Sequence, residues 1–236
     1  MSSPSSLRVG GLRPGSLSDW EGRLAAVIYT SGCNFRCPFC HNPELLDAAG
    51  GEEVEARDIL DRLSGELSWL DGVVITGGEP TLQEGLEGFL TQLREEGLEV
   101  KLDTNGSRPE VLEGLLNRGL LDRVAMDVKS SPGGYPRAVG RELEIETIGR
   151  SIRLLLESPV EVEFRTTVVP GLVGEEEGEE IGSWVEGASR FSLQGFRPGT
   201  CLAEAMNRLA PPSPELMERL RRIIGKHVPA CRIAGG

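Results

Sequence analysis

The strongest constraint on the fold is a repeated alternation of short apolar runs with longer amphipathic segments. Six runs rich in Val, Ile and Phe predict strands at residues 25–30, 73–76, 100–104, 124–128, 162–169 and 191–196. Helical periodicity separates them at residues 54–68, 84–97, 109–118, 144–157 and 176–187, and a last helix is predicted at residues 214–226. Such an alternation favours parallel strands joined by right-handed helical crossovers.

Six strand–helix units are too few to close an eight-stranded barrel. We therefore predict the α/β class with an open, partial (β/α)6 barrel, and a doubly wound sheet is the alternative. The 236 residues suit a single domain. Residues 1–15 are expected to form a flexible tail or an edge strand, and residues 213–236 a C-terminal helix and tail. The active site of such a barrel lies at the carboxyl ends of its strands.

Composition argues against several classes of partner. The formal net charge is −12, and nonspecific binding to nucleic acid depends mainly on Lys and Arg. No apolar run approaches the roughly 20 residues of a membrane span, and the first 20 residues lack the apolar middle of a signal peptide. We therefore expect a cytoplasmic protein that binds neither nucleic acid nor a membrane.

Polar motifs follow four successive predicted strands. TSGCNFRCPFCHNPEL at residues 30–45 follows the first strand, and TGGEP at 76–80 follows the second. DTNG at 103–106 ends the third, and MDVK at 126–129 ends the fourth. The carboxyl ends of parallel strands meet at one end of a barrel, so these motifs are predicted to form one site.

Three of the five cysteines, Cys33, Cys37 and Cys40, lie within eight residues, and no fourth is nearby. Each of the three thiolates can bind one corner of an iron–sulfur cubane, which leaves the fourth iron open to an external ligand. The alternatives are three core cysteines or a structural zinc site that uses His41 or a distant cysteine as its fourth ligand. The remaining cysteines, at positions 201 and 231, have no partner spacing and are interpreted as buried structural thiols.

The C-x3-C-x2-C spacing, with Phe39 directly before the last cysteine, resembles the radical S-adenosylmethionine enzymes. The longer segment at residues 11–46, GLRPGSLSDWEGRLAAVIYTSGCNFRCPFCHNPELL, resembles more narrowly the activating proteins of anaerobic ribonucleoside-triphosphate reductase, within the glycyl-radical-enzyme activases. This likeness extends from about Leu7 to the sixth strand. It implies a barrel of the radical S-adenosylmethionine type.

The resemblance also implies cofactors and partners. A [4Fe–4S] cluster would be held by Cys33, Cys37 and Cys40, with S-adenosylmethionine chelating the open iron through its amino and carboxylate groups. Reduction by a flavodoxin or ferredoxin would cleave the sulfonium bond, and the 5′-deoxyadenosyl radical would abstract hydrogen from a glycine of the reductase. The alternatives are another glycyl-radical enzyme of the pyruvate formate-lyase type, a small substrate as in the deazapurine carboxylate synthases, and a structural zinc-binding module.

Several binding residues follow from the same resemblance. Gly77, Gly78 and Glu79 match the segment that receives the amino group of the cofactor, and Phe39 and Lys129 match residues that contact it. Taken alone, the Gly-Gly-Glu-Pro sequence is also a common turn that opens a helix.

In the pyruvate formate-lyase activases, aspartates and backbone carbonyls hold a monovalent cation. The matching ligands here are Asp103, Thr104, Asp127 and the backbone of Ala125. The structural alternative for each aspartate is a helix cap or a turn acceptor.

The last two strands carry the remaining candidates. Arg165 is predicted to face either the cofactor carboxylate or a structural partner such as Glu163 or Asp127. Gln194 and Arg197 lie where the family binds adenine. Pyruvate formate-lyase activases tend to have a histidine near this position, and Arg197 departs from that pattern.

Overall fold

The computed structural model describes residues 5–234, and the predictions for residues 1–4 and 235–236 lie outside this range. Residue contacts group the chain into two compact units, although its length predicts one domain. The first unit contains the chain up to Asn34, Glu44–Thr104 and Glu110–Val124. The second contains Phe35–Pro43, Asn105–Pro109 and the chain from Ala125 onward.

The strands are β1 (Ser6–Ser16), β2 (Ala25–Thr30), β3 (Glu52–Glu55), β4 (Gly72–Gly77), β5 (Glu99–Thr104), β6 (Arg123–Asp127), β7 (Glu161–Val168), β8 (Phe191–Gly195) and β9 (Cys231–Ile233). The α-helices are α1 (Ala56–Arg62), α2 (Leu86–Glu95), α3 (Pro109–Asn117), α4 (Tyr135–Val139), α5 (Ile145–Leu156), α6 (Glu175–Trp184) and α7 (Pro214–Ile224). Short 3-10 helices lie at Pro43–Leu45, Ala48–Gly50, Leu67–Trp69, Pro80–Leu82 and Glu204–Arg208.

The strands of the first unit have the order β3-β1-β2-β4-β5. β2 pairs in parallel with β4, and β4 pairs in parallel with β5. β1 pairs antiparallel with both β2 and β3. The apolar strands β2 and β4 are almost completely buried, as expected for parallel strands covered on both faces.

In the second unit β7, β8 and β9 are parallel neighbours. Helix α7 begins at the N-cap Ser213, whose Oγ accepts a hydrogen bond from the N–H of Leu216. Helix α6 packs closely on α7, because a Cβ at Gly178 would lie 2.5 Å from the Leu220 Cδ2 and a Cβ at Gly182 2.7 Å from the His227 Cδ2. Helix α7 lies beside the carboxyl end of β8, where a Cβ at Gly195 would lie 3.9 Å from the Met217 Cε.

The six predicted strands are all present, with bounds that shift by at most one residue, and the predicted α/β class with parallel pairing is confirmed. Ser6–Ser16 form β1, which lies between β2 and β3 and is therefore neither a tail nor an edge strand. The predicted helix at 54–68 is shortened to Ala56–Arg62, because Glu52–Glu55 pair with β1. Strands β3 and β9 and helix α4 were not predicted. No helix within residues 5–234 combines the length and apolar character needed to cross a membrane.

Candidate active site

The cysteine loop begins in the first unit, directly after β2. The N–H of Gly32 donates to the carbonyl of Leu45 at 2.8 Å, and the N–H of Cys33 donates to the carbonyl of Leu46 at 3.2 Å. Cys33 itself is only half-buried. Backbone hydrogen bonds thus fix this part of the loop and leave the residue accessible.

The Gly77-Gly78 pair at the end of β4 packs against the same loop. The N–H of Gly78 donates to the Thr30 carbonyl, and the N–H of Glu79 donates to the Gly32 carbonyl, both at 2.8 Å. A Cβ at Gly78 would lie 2.2 Å from the Gly32 oxygen, and Gly77 has a φ of +113°. Both glycines are therefore required by the close approach of two loops of the chain.

We expect a Gly78→Ala substitution to displace the loop that carries Cys33 and to lower the free energy of unfolding. The reason is that the added methyl would meet backbone on the opposite loop. Gly114→Ala is the matched control, because nothing lies within 4 Å of its added Cβ and helix α3 should gain about 0.5–1 kcal/mol. Urea unfolding of both variants checks this, and equal stabilisation by the two alanines would contradict it.

Glu79 is fully buried and has a structural role in the first unit. Its Oε1 accepts hydrogen bonds from the N–H of Thr81 at 3.1 Å and from the Thr104 hydroxyl at 2.7 Å. It also caps the short helix at Pro80–Leu82, which is the turn considered above as the structural alternative. The Thr104 hydroxyl, a predicted cation ligand, therefore donates to a carboxylate.

Ser31, next to the cysteine loop, is 1% exposed, and its Oγ has no hydrogen-bond partner among the described residues. A buried unpaired hydroxyl costs about 1–3 kcal/mol, so we expect Ser31→Ala to raise the free energy of unfolding by roughly 1 kcal/mol. The Thr30 hydroxyl donates to the Thr76 carbonyl at 3.0 Å, so Thr30→Val should lower it by a similar amount. Chemical denaturation of both variants checks this, and destabilisation by Ser31→Ala would contradict it.

Asp103, another predicted cation ligand, has a buried cationic neighbour in the first unit. The Nζ of Lys101 lies 2.7 Å from its Oδ1 and also donates to the carbonyl of Asp19 at 2.7 Å. The side chain of Lys101 is 3% exposed. Side chains at positions i and i+2 of a strand share a face, so the sequence VKLDT contained a signal for this pair that the sequence analysis missed.

The second unit contains the turn that carries the other two motif cysteines. The N–H of Cys40 donates to the carbonyl of Cys37 at 3.0 Å, and the N–H of Leu202 donates to the Cys40 carbonyl at 3.0 Å. Cys37 and Phe39 are buried, whereas Cys40 is half-buried. The backbone thus fixes the turn on both sides.

His41 is held by the segment that follows β8. Its ring stacks on Phe196 with a centroid distance of 5.8 Å, and its Nε2 donates to the backbone carbonyl of Arg197 at 2.7 Å. The two contacts fix the orientation of the His41 ring in the second unit.

Asp127 at the end of β6 is bound by two cations of the second unit. Its Oδ1 lies 2.9 Å from the Nε of Arg165, and its Oδ2 lies 2.9 Å from the Nζ of Lys129. The ion pair between Arg165 and Asp127, weighed above as the structural alternative, is therefore present. The Tyr135 hydroxyl, which the sequence analysis missed, lies 3.4 Å from the backbone carbonyl of Asp127.

Charge compensation dominates this cluster. Burial alone would raise the pKa of Asp127, but the charges of Arg165 and Lys129 outweigh it and hold that pKa well below its usual range. Burial alone would lower the pKa of Lys129, but Asp127 and the negative charge of Cys37 raise it above its usual range. Burial raises the pKa of Tyr135. Lys129 therefore remains a cation in the second unit.

A cavity of about 650 Å³ lies in the second unit between the end of β8, the start of α7 and β9. Gln194 and Arg197 line it together with Phe196 and Met217. Both residues predicted to contact adenine therefore border one cavity.

Ala125, the remaining predicted cation ligand, is fully buried within β6.

Cysteine thiolates are the protein ligands that iron–sulfur clusters use. No disulfide involves any of the five cysteines, so the three motif thiols are available as ligands. Within residues 5–234 no group of three His, Cys, Asp or Glu side chains could hold one ion, as a zinc site requires. The thiolates of a cubane need not converge on one point, because each binds a different iron. Cys201 and Cys231 are both buried, and burial raises the pKa of Cys231 to about 11.

Comparison with known proteins places the chain in a family. The model of the radical SAM superfamily matches residues 27–181. A protein of Methanocaldococcus jannaschii, provisionally named a glycyl-radical enzyme activating enzyme, is 34% identical over 227 residues, which cover 93% of this chain and 92% of that protein. The pyruvate formate-lyase-activating enzyme of Clostridium pasteurianum is 32% identical over 140 residues, which cover 57% of this chain and 58% of that enzyme.

A solved structure shares the fold. It is a domain of a pyruvate-formate lyase-activating enzyme from Bacteroides vulgatus, with a TM-score of 0.56 and 19% identity, and the match covers 70% of this chain and 99% of that one. The predicted fold class of the radical SAM type is confirmed, and the open partial barrel is consistent with it. The family implies a [4Fe–4S] cluster and S-adenosylmethionine. The chain belongs to the radical SAM superfamily, and its relatives include glycyl-radical enzyme activases.

Proposed function

We propose that this protein generates the glycyl radical of anaerobic ribonucleoside-triphosphate reductase, with Cys33, Cys37 and Cys40 as ligands of a [4Fe–4S] cluster. One observation carries the activase assignment: a relative that matches nearly the whole chain is named as a glycyl-radical enzyme activating enzyme. The bound cluster and S-adenosylmethionine supply an oxidant that can take a hydrogen atom from the α-carbon of glycine. Glycine suits this reaction because its radical is delocalised and no side chain blocks approach.

The protein's own residues would position the cofactors and exclude water. Buried Phe39 and Tyr135 provide apolar surroundings near Cys37, and Lys129 provides positive charge. Arg165 forms an ion pair with Asp127, so its main proposed role is to hold the end of β6. Binding of the cofactor carboxylate is its second proposed role. Since Gly77, Gly78 and Glu79 are occupied by internal contacts, we propose that exposed backbone atoms of this segment receive the cofactor amino group.

Gln194 and Arg197 are proposed to contact adenine. The cavity that they line, about 650 Å³, lies in the range of small-ligand pockets, and Phe196 and Met217 give it apolar walls. The guanidinium of Arg197 is exposed and can stack on a base.

A monovalent cation is not required for charge balance. Lys101 lies beside Asp103 in the first unit, and Arg165 and Lys129 compensate Asp127 in the second. Removal of potassium and sodium from the assay is therefore not a test of the main proposal. The electron donor is proposed to be a flavodoxin or a ferredoxin.

The second candidate partner is pyruvate formate-lyase, because relatives of this chain carry that activity in their names. Arg197, where such activases tend to have a histidine, favours the reductase instead. The test is to incubate the reduced, cluster-loaded protein and S-adenosylmethionine with each partner separately and to record the electron paramagnetic resonance spectrum. A glycyl doublet with the reductase alone supports the proposal, whereas a doublet with pyruvate formate-lyase alone replaces the partner.

A further inference from the structure

Three consecutive backbone carbonyls directly before Cys33 each accept a hydrogen bond from the segment that follows β4. These acceptors are the carbonyls of Thr30, Ser31 and Gly32. Two of the donors are backbone N–H groups, those of Gly78 and Glu79. The donor to the middle carbonyl is the side chain of Gln83, whose Nε2 lies 2.8 Å from that oxygen. Gln83 is therefore the donor of the three that a side-chain substitution can remove.

The same side-chain amide also contacts β1. The Gln83 Oε1 accepts a hydrogen bond from the N–H of Arg8 at 3.0 Å. The N–H of Ser31 in turn donates to the Arg8 carbonyl at 2.8 Å. A primary amide can donate and accept at the same time, so the Gln83 side chain stands between Arg8 and Ser31 as a strand peptide would. It does so where the pairing of β1 with β2 ends.

The backbone around Gln83 is fixed by its own contacts in the first unit. The N–H of Gln83 donates to the Pro80 carbonyl at 3.0 Å. Two residues further on, a Cβ at Gly85 would lie 2.1 Å from the backbone oxygen of Ser6, so this part of the chain lies directly against β1. The side-chain amide is therefore presented to the Ser31 carbonyl from a well-held backbone.

We propose that Gln83 is a positioning residue that sets the spacing between the start of the cysteine loop and the segment at residues 77–79. The inference rests on the proposed function, in which Cys33 binds the cluster and this segment receives the amino group of the cofactor. A cofactor held by both requires one spacing between the two loops. Gln83 acts through the Ser31 carbonyl and not by contact with the cofactor.

Gln83→Glu is the decisive variant. An ionised carboxylate can still accept from the Arg8 N–H, but it has no donor for the Ser31 carbonyl. Gln83→Met removes both hydrogen bonds and adds no charge, so it separates loss of the bond from repulsion. Gln92→Glu, on helix α2 and outside both segments, is the matched control for the added charge.

The first measurement is amide hydrogen exchange of the proteins as isolated, resolved to single residues. We expect faster exchange at Gly78 and Glu79 in both Gln83 variants than in the wild type and the control. The reason is that the two remaining hydrogen bonds between the loops should open more often once the middle one is lost. Unchanged exchange at these two amides would overturn the proposal, and the measurement needs no cofactor.

The second measurement follows the electron paramagnetic resonance spectrum of the reduced, cluster-loaded proteins during titration with S-adenosylmethionine. Both Gln83 variants should bind as much iron as the wild type but need roughly tenfold more S-adenosylmethionine for half of the spectral change, the scale of one lost hydrogen bond. Equal half-points in all four proteins would show that Gln83 only stabilises the fold and would overturn the proposal. A wild type without any spectral response would contradict the proposed function instead, and the exchange result would then decide the role of Gln83.

Discussion

A Cys37→Ala protein is expected to assemble no cubane cluster and to form no detectable 5′-deoxyadenosine from S-adenosylmethionine. The three motif thiols would each bind one iron, and with two of them the cubane loses a protein ligand that the chain does not replace. The measurements are the iron and sulfide content, the visible absorption and the nucleoside yield after anaerobic reconstitution. Cys33→Ala and Cys40→Ala should behave in the same way.

Cys231→Ala is the control for this series, because Cys231 lies on β9 and outside the motif. It should keep its iron, its brown colour and its turnover. A brown and fully active Cys37→Ala protein would refute the assignment of the three cluster ligands. A colourless wild-type protein that binds one zinc ion would show instead that the chain is a structural zinc module.

Asp127→Asn is expected to lower the free energy of unfolding by about 3 kcal/mol, because it leaves the charges of Arg165 and Lys129 without their carboxylate in a mostly buried place. Glu204→Gln is the control. Its partner Arg208 and Glu204 itself are strongly exposed, so the loss should be within about 0.5 kcal/mol. Urea unfolding followed by circular dichroism measures both, and equal effects of the two substitutions would contradict the account.

The same carboxylate gives a pH dependence with a definite sign. The pKa of Asp127 is lowered in the folded protein, so its stabilising contribution is complete above the usual carboxyl pKa of about 3.9 and is lost as the pH falls below that value. As the pH falls below about 5, the unfolding free energy of the wild type should therefore decrease more than that of Asp127→Asn. Parallel stability curves for the two proteins would show that Asp127 is not compensated as described.

Strands with strong apolar content could be predicted from the sequence, and those that depend on their partners could not. Runs such as Ala25–Thr30 and Gly72–Gly77 have residues that favour buried parallel strands. β1 contains Pro and several Gly residues, which locally disfavour a strand, and it forms because it pairs on both sides. β9 has only three residues and forms by pairing with β8.

The candidate site was predictable where the chemistry is local in sequence. The motif containing Cys33, Cys37 and Cys40 could be recognised from the spacing of its cysteines alone. The role of these cysteines as cluster ligands is a proposal. The roles of Glu79 and Thr104 were not predictable, because their hydrogen bond joins residues 25 positions apart. The hydrogen bond between Leu202 and the Cys40 carbonyl depends likewise on backbone pairing between distant segments.

The central claim is that the protein removes a hydrogen atom from glycine in a partner protein, and isotope transfer tests it most directly. The reductase would be produced with deuterium on the α-carbon of its glycines and incubated anaerobically with the reduced, cluster-loaded protein and S-adenosylmethionine. Mass spectrometry of the 5′-deoxyadenosine should find one deuterium, together with a glycyl doublet in the electron paramagnetic resonance spectrum. Unlabelled nucleoside without a doublet, from a protein that contains an intact cluster, would contradict the claim.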